Sequence, residues 1–267
     1  MGEIMLRIAL LALCIAGVSC GASAQTPDTV FLEELTWMEV RDAIDSGTTS
    51  IIIPTAGIEQ NGPHIALGKH KYRMNAGAER IARELGNALV APIVSFVPEG
   101  SIDPPTSHMK YAGSISMPED VYQGILEYTA RSLQVHGFTD IFFVGDSGGN
   151  QRGMQEVTTK LNEEWKGSAT RVHFVSAWYT STAFEDWLRS QGETDDVIGS
   201  HAGLSDTTTL MAVAPQHVRA DFMLEERSKN ANGVSGDPSG ASVELGNIGM
   251  DFLVDAAMTQ IRGMLKE

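Results

Sequence analysis

The chain reads outward from the apolar run Ile51-Ile52-Ile53-Pro54, which is followed by Glu59-Gln60-Asn61-Gly62-Pro63-His64 and then by Gly68-Lys69-His70. The unbroken apolar run predicts a buried strand over Ser50 to Thr55. Gly62 and Pro63 then force a turn, so a carboxylate, an amide and histidines are presented beyond the strand's end. Helix-like and strand-like segments alternate on either side. Trp37 to Ile44 is amphipathic, Met74 to Leu85 reads as a helix, and Ala88 to Val97 contains a second strand. Pro118-Glu119-Asp120 opens a long helix to about Val135, with proline near the first turn, where its missing N–H is harmless. Asp140 to Val144 predicts a strand, Gln151 to Trp165 a helix, Arg171 to Ala177 a strand and Thr182 to Arg189 a helix. A loop rich in Gly, Asn and Ser covers Ser228 to Ser242, and a helix around Met250 to Leu265 closes the chain. Repeated βα units with continuously apolar strands predict a three-layer α/β/α fold around a mostly parallel sheet.

At 267 residues with 42% hydrophobic content, the chain is long enough to bury one substantial core, and a single domain is expected over residues 25–267. Residues 1–24 read as a cleaved signal peptide. The run Ile8 to Val18 is too short to span a bilayer, and Ala22-Ser23-Ala24 has the small-x-small pattern of a cleavage site. A secreted or periplasmic protein is the expectation. Glu3 offsets Arg7 ahead of the apolar run, and a start at Met5 would remove it. Cys20 raises a lipoprotein alternative, against which stands Gly17, where a lipid-attachment box wants a branched aliphatic residue. Both cysteines, Cys14 and Cys20, fall in this leader, so the expected mature chain has neither disulfide nor thiolate chemistry. A formal charge of -15 disfavours nucleic acid and anionic membrane surfaces as partners and favours a neutral or cationic small molecule. No second apolar run approaches membrane-spanning length.

In open α/β sheets ligands bind beyond the carboxyl ends of the strands, and Glu59 and Asp146 each follow a predicted strand. With His201-Ala202-Gly203, Ser107-His108 ahead of Tyr111-Ala112-Gly113-Ser114-Ile115-Ser116, and Gly236-Asp237-Pro238, these segments resemble the creatininase family of amidohydrolases from about Leu35 to the C-terminus. The resemblance implies a creatininase-like fold, hydrolysis of a C–N amide-type bond in a small, cyclic or open molecule, and a homo-oligomer. It also implies divalent metal. The family binds two ions through a Glu, a bridging Asp, two histidines and often a further carboxylate, and activates water between them. Here Glu59 is kept, Asn61 and Ser147 replace the histidines, His70 replaces the bridging Asp, and Gly149 stands where some members place a carboxylate. One site for zinc or manganese is therefore expected, from Glu59, His70 and Asp146, with open positions for water. Otherwise Glu59 and Asp146 cap loops and His70 is a polar loop residue. His201 matches the family's proton-transfer histidine, a role its titration near neutral pH suits. Asp206 is a second catalytic candidate, equally explained as a carboxylate at a helix N-terminus. Asn61, His64 and His108 are expected to line the substrate pocket.

A rival mechanism lies in Gly145-Asp146-Ser147-Gly148-Gly149, which fits Gly-x-Ser-x-Gly between a predicted strand and helix, the setting of a nucleophile elbow. Asp186, Asp195 or Asp196 followed by His201 would supply the acid and the base. The same letters resemble trypsin-like proteases, but βα alternation contradicts a two-barrel fold. Without chemistry, Ser147 and Asp146 cap the following helix. A third class is a small-molecule-binding protein on an inactive hydrolase scaffold.

Overall fold

The computed structural model of the protein describes residues 27–225 and 229–266, so the expected leader at 1–24 lies outside the described residues. Its elements run α1 (Trp37–Asp45), β1 (Ser50–Thr55), α2 (Lys69–Leu85), β2 (Ala88–Val90), α3 (Glu119–Val135), β3 (Asp140–Gly145), α4 (Gln151–Glu164) and β4 (Arg171–Val175). Three short helices, α5 (Ala177–Thr180), α6 (Ala183–Ser190) and α7 (Asp195–Ile198), precede α8 (Leu204–Val213), α9 (Ala220–Met223) and the closing α10 (Val243–Met264). The four strands are ordered β2-β1-β3-β4 and every pairing is parallel.

Strand alternation sorts the apolar runs onto two faces. Ile51, Ile53, Ile141, Phe143 and Val172 pack with α3 and α4 through Leu126, Val157 and Leu161. Ile52, Phe142, Val144 and Val175 pack with α2 and α10 through Met74, Ile81, Val254 and Ile261. All three isoleucines of β1 are fully buried, each contributing about 2 kcal/mol of transfer free energy. The sheet is thus covered on both sides, as the continuous apolar runs require. The second strand is shorter than Ala88 to Val97 suggests. Ala91 N–H still donates to the Ile52 carbonyl, but the next donor to β1 is Val94 rather than Ile93, and this extra residue interrupts the ladder, which resumes only as an isolated bridge between Thr55 and Val94. No helix among the described residues is long and apolar enough to cross a membrane.

Helix α2 begins at Lys69, a full turn before the predicted Met74, and this places His70 on a helix rather than in a loop. Its first turn has no acidic residue and no side-chain cap. Cations there run against the helix dipole, so their carboxylate partners lie elsewhere in the fold.

Candidate active site

The carboxyl ends of β1 and β3, the chain beyond β2 and the first turn of α2 enclose a cavity of about 740 Å³. At its centre is Glu59, buried and surrounded by donors. Oε1 lies 2.8 Å from His70 Nε2, 3.1 Å from His201 Nε2 and 4.0 Å from Lys69 Nζ, while Oε2 is 3.3 Å from His108 Nε2. Burial by itself would raise the pKa of Glu59; His70, His201 and Lys69 overcome it and hold the carboxyl ionised, well below the usual range.

His70, expected beside Glu59 and Asp146 as an ion ligand, lies between these two carboxylates. Its Nδ1 lies 2.7 Å from Asp146 Oδ2 and its Nε2 2.8 Å from Glu59 Oε1, so hydrogen bonds engage both ring nitrogens. Burial and Lys69 oppose its charging, yet the two carboxylates raise its pKa to about 9. Asp146 also accepts from the Trp178 indole at 2.7 Å and from Arg73 at 3.1 Å. The expected metal triad is therefore a hydrogen-bonded chain. Among the described residues, the group whose ligand atoms converge within 4.8 Å is Glu59, His108 and His201.

His201 Nδ1 donates to the Gly233 carbonyl at 2.7 Å, which turns Nε2 toward the cavity and Glu59. Asp206 lines the cavity and is bound by cations and backbone. It accepts from Lys69 at 2.8 Å, from Arg73, and from the Ala202 N–H at 2.8 Å. Ala202 sits at φ +53°, and this bond holds the strained turn that orients His201.

Of the expected pocket-lining residues, only His108 lines the cavity, and Gln60 lies 3.3 Å from its Nδ1. Asn61 is fully buried and donates to the Glu59 carbonyl. His64 is fully buried too, with Nε2 on the Thr207 hydroxyl at 3.0 Å. The turn at Gly62 and Pro63 points both into the core.

Ser147 lines the cavity, but it meets no imidazole. Its hydroxyl donates to Glu99 Oε1 at 3.1 Å and accepts from the Gly149 N–H. Asp186 and Asp195 bind Arg189, and His201 uses a backbone carbonyl in place of an acid. The Ser, acid, His relay is not assembled, and Ser147 caps the turn into α4.

Glu99 is a candidate functional residue that sequence reasoning did not single out. It is buried, it faces the cavity, and burial first, then the charge and hydrogen bond of Glu59, push its carboxyl up to about 8. Glu99 is thus biased toward its protonated form beside the ionised Glu59. It follows a strand-like segment, as Glu59 and Asp146 do, and the strand-end rule flags it equally.

A parallel α/β sheet with acids and imidazoles gathered beyond its strands' carboxyl ends defines an enzyme-type site. Residues 33–261 match the family described as Creatininase: Creatinine amidohydrolase. Creatinine amidohydrolase of Pseudomonas putida is 22% identical over 201 residues, covering 74% of this chain and 76% of that protein. A mycofactocin precursor peptide peptidase of Mycobacterium ulcerans (strain Agy99) is 23% identical over 180 residues, covering 64% and 61%. A creatininase mutant complexed with creatine superposes with TM-score 0.74 at 21% identity over 88% of this chain and 98% of that one. A Zn-Zn type creatininase mutant gives 0.71 at 20% over 89% and 99%, and a structure titled Creatininase Mn gives 0.70 at 20% over 88% and 98%. The chain belongs to the creatininase family of amidohydrolases.

The residues present do not fit two ions. Beyond the exchanges at Asn61, His70 and Ser147, a Cβ at Gly149 would lie 1.8 Å from the Pro98 carbonyl oxygen, so a carboxylate there would require the backbone to move. Glu59, His108 and His201 fit one ion, a carboxylate and two imidazoles with open positions.

Proposed function

We propose that the chain hydrolyses a C–N amide-type bond of a small molecule, cyclic or open, in this cavity, using one zinc or manganese ion held by Glu59, His108 and His201. The convergence of those three ligand atoms beside the proton-bearing Glu99 carries the reading. A bound divalent ion supplies Lewis acidity to an amide carbonyl and lowers the pKa of water. Ligation by His108 requires the Gln60 amide to turn its carbonyl toward Nδ1–H, since Gln60 Nε2 faces that nitrogen. His201, oriented by Gly233, acts in this reading as a ligand, and proton handling passes to Glu99. That carboxyl holds a proton near neutral pH and donates it to the leaving nitrogen, while Ser147 fixes its rotamer. His70, Asp146 and Trp178 keep Glu59 aimed. Export through the 1–24 leader is part of the same proposal, supported by the apolar run and the Ala22-Ser23-Ala24 site.

Metal analysis of the purified chain after zinc or manganese reconstitution tests this. One ion per chain is expected, with His108→Ala and His201→Ala each weakening affinity by at least about tenfold. A chelator should abolish turnover across a panel of amides and lactams. No ion after reconstitution, or full occupancy in His201→Ala, would refute the ion assignment; chelator-resistant turnover would refute the mechanism.

A further inference from the structure

One turn of α2 lays three basic side chains along the cavity floor. Lys69 is 1% exposed, and its ammonium lies 2.8 Å from Asp206 and 4.0 Å from Glu59. His70 bridges Glu59 and Asp146 through both ring nitrogens. Both ring nitrogens are thus engaged, and the carboxylate oxygens they hold are already occupied. Arg73 reaches Asp146 and Asp206. Three carboxylates thus meet partners supplied by the chain itself, two of them the fixed cations Lys69 and Arg73. The placement is dear in two ways: the cations stand at a helix N-terminus, where the dipole opposes them, and Lys69 is removed from water. Only the facing carboxylates offset this.

A second divalent ion would need these same carboxylates. With Lys69, His70 and Arg73 in place they are already occupied, and an added dication would lie within a few ångströms of fixed positive charge in a poorly solvated floor. We propose that Lys69, a buried fixed cation, and His70, which occupies Glu59 and Asp146 through its two ring nitrogens, together replace a second metal ion, limiting the site to one ion fewer than its carboxylates could otherwise hold. They are positioning residues, which hold Glu59 through direct contacts. Unlike an ion, they survive a chelator.

This rests on the single-ion reading only for where the first ion binds; the test is a difference and stands apart from it. Native mass spectrometry at saturating zinc, and separately manganese, counts ions per chain in wild type, in Lys69→Arg and in Lys69→Met with His70→Asp. The double variant removes the Lys69 charge, frees Glu59 and Asp146 of His70 and adds a carboxylate, so it should hold one ion more than wild type. Lys69→Arg, which keeps the charge, should match wild type. A folded double variant with an unchanged count overturns the inference, as does wild type binding two ions. Wild type binding none refutes the single-ion reading; a double variant that then gains an ion still upholds the resident-cation inference, and one that gains none overturns it. Circular dichroism verifies folding. Should the double variant not fold, Lys69→Met alone is titrated with zinc, where about tenfold tighter or additional binding supports the inference and unchanged binding overturns it.

Discussion

His64→Leu isolates a single buried imidazole whose behaviour the geometry fixes. His64 is fully buried, donates from Nε2 to Thr207, and leaves Nδ1 without a partner. Protonation would place a charged N–H at Nδ1 facing no acceptor. Burial accordingly lowers its pKa to about 4; the Ala202 backbone and Asp206 push the other way and do not overcome it. In the unfolded chain the ring titrates near its ordinary value, about 6.5. Between the two values the unfolded state binds more protons, so stability rises with pH and is lost as pH falls through this window. Integrating from about pH 7 to about pH 5 gives a loss of about 2 kcal/mol from this residue. Urea unfolding of wild type and His64→Leu across that range supplies the assay. Leu does not titrate, so the stability difference between the two proteins should shift by about 2 kcal/mol in favour of the variant at the acid end, equivalent to roughly 4–8 °C in Tm. The hydrogen bond to Thr207, worth about 1 kcal/mol, sets only the pH-independent offset. A difference flat to within about 0.5 kcal/mol would refute the reasoning, because His64 would then be charged or hydrated in the fold.

Glu99→Gln should show the opposite slope. Its carboxyl is raised to about 8, so the folded state binds the extra proton and wild-type stability falls as pH rises from about 5 to about 8. Urea unfolding of metal-free protein should show the variant gaining on wild type by about 2 kcal/mol between about pH 5 and about pH 7, and kcat falling about a hundredfold; a flat difference, or unimpaired kcat, would remove Glu99 from its role. The terms from His64 and Glu99 nearly cancel in wild type, so only the variant differences are diagnostic. For export, intact-mass analysis of protein from the native host should find a chain beginning at Gln25 without cysteine; full-length cytoplasmic protein or lipidated Cys20 would sink the idea.

The strands were legible because each is a continuous apolar run, and parallel pairing buries both faces of such runs. The start of α2 was not. Gly68-Lys69-His70 offers no capping side chain and puts cations at the wrong end of a helix. Its true justification comes from Glu59, Asp146 and Asp206, and the latter two are 76 and 137 residues from their partners on α2. No local rule can see a partner at that distance. Lysine in a polar, Gly-containing stretch reads as solvent-facing, so Lys69 passed unnoticed although it is among the most buried side chains. Glu99 was missed for a different reason: it follows the predicted strand end at Val97, but nothing adjacent in sequence marks it, and its partner Glu59 is brought to it only by the fold.

Within the Glu59 to His70 segment, the residues divide by direction rather than by type. Glu59 and His70 face the cavity; Asn61 and His64 face the core. A turn reverses side-chain direction without changing composition, so the motif announces polar chemistry while leaving its assignment to tertiary contacts. The same backbone that could carry metal ligands at several positions here carries an amide at 61, a doubly hydrogen-bonded imidazole ring at 70 and a hydroxyl at 147. Loss of ligands alone would leave Glu59, Asp146 and Asp206 as uncompensated buried charge. Lys69, His70 and Arg73 make that loss compatible with a folded site.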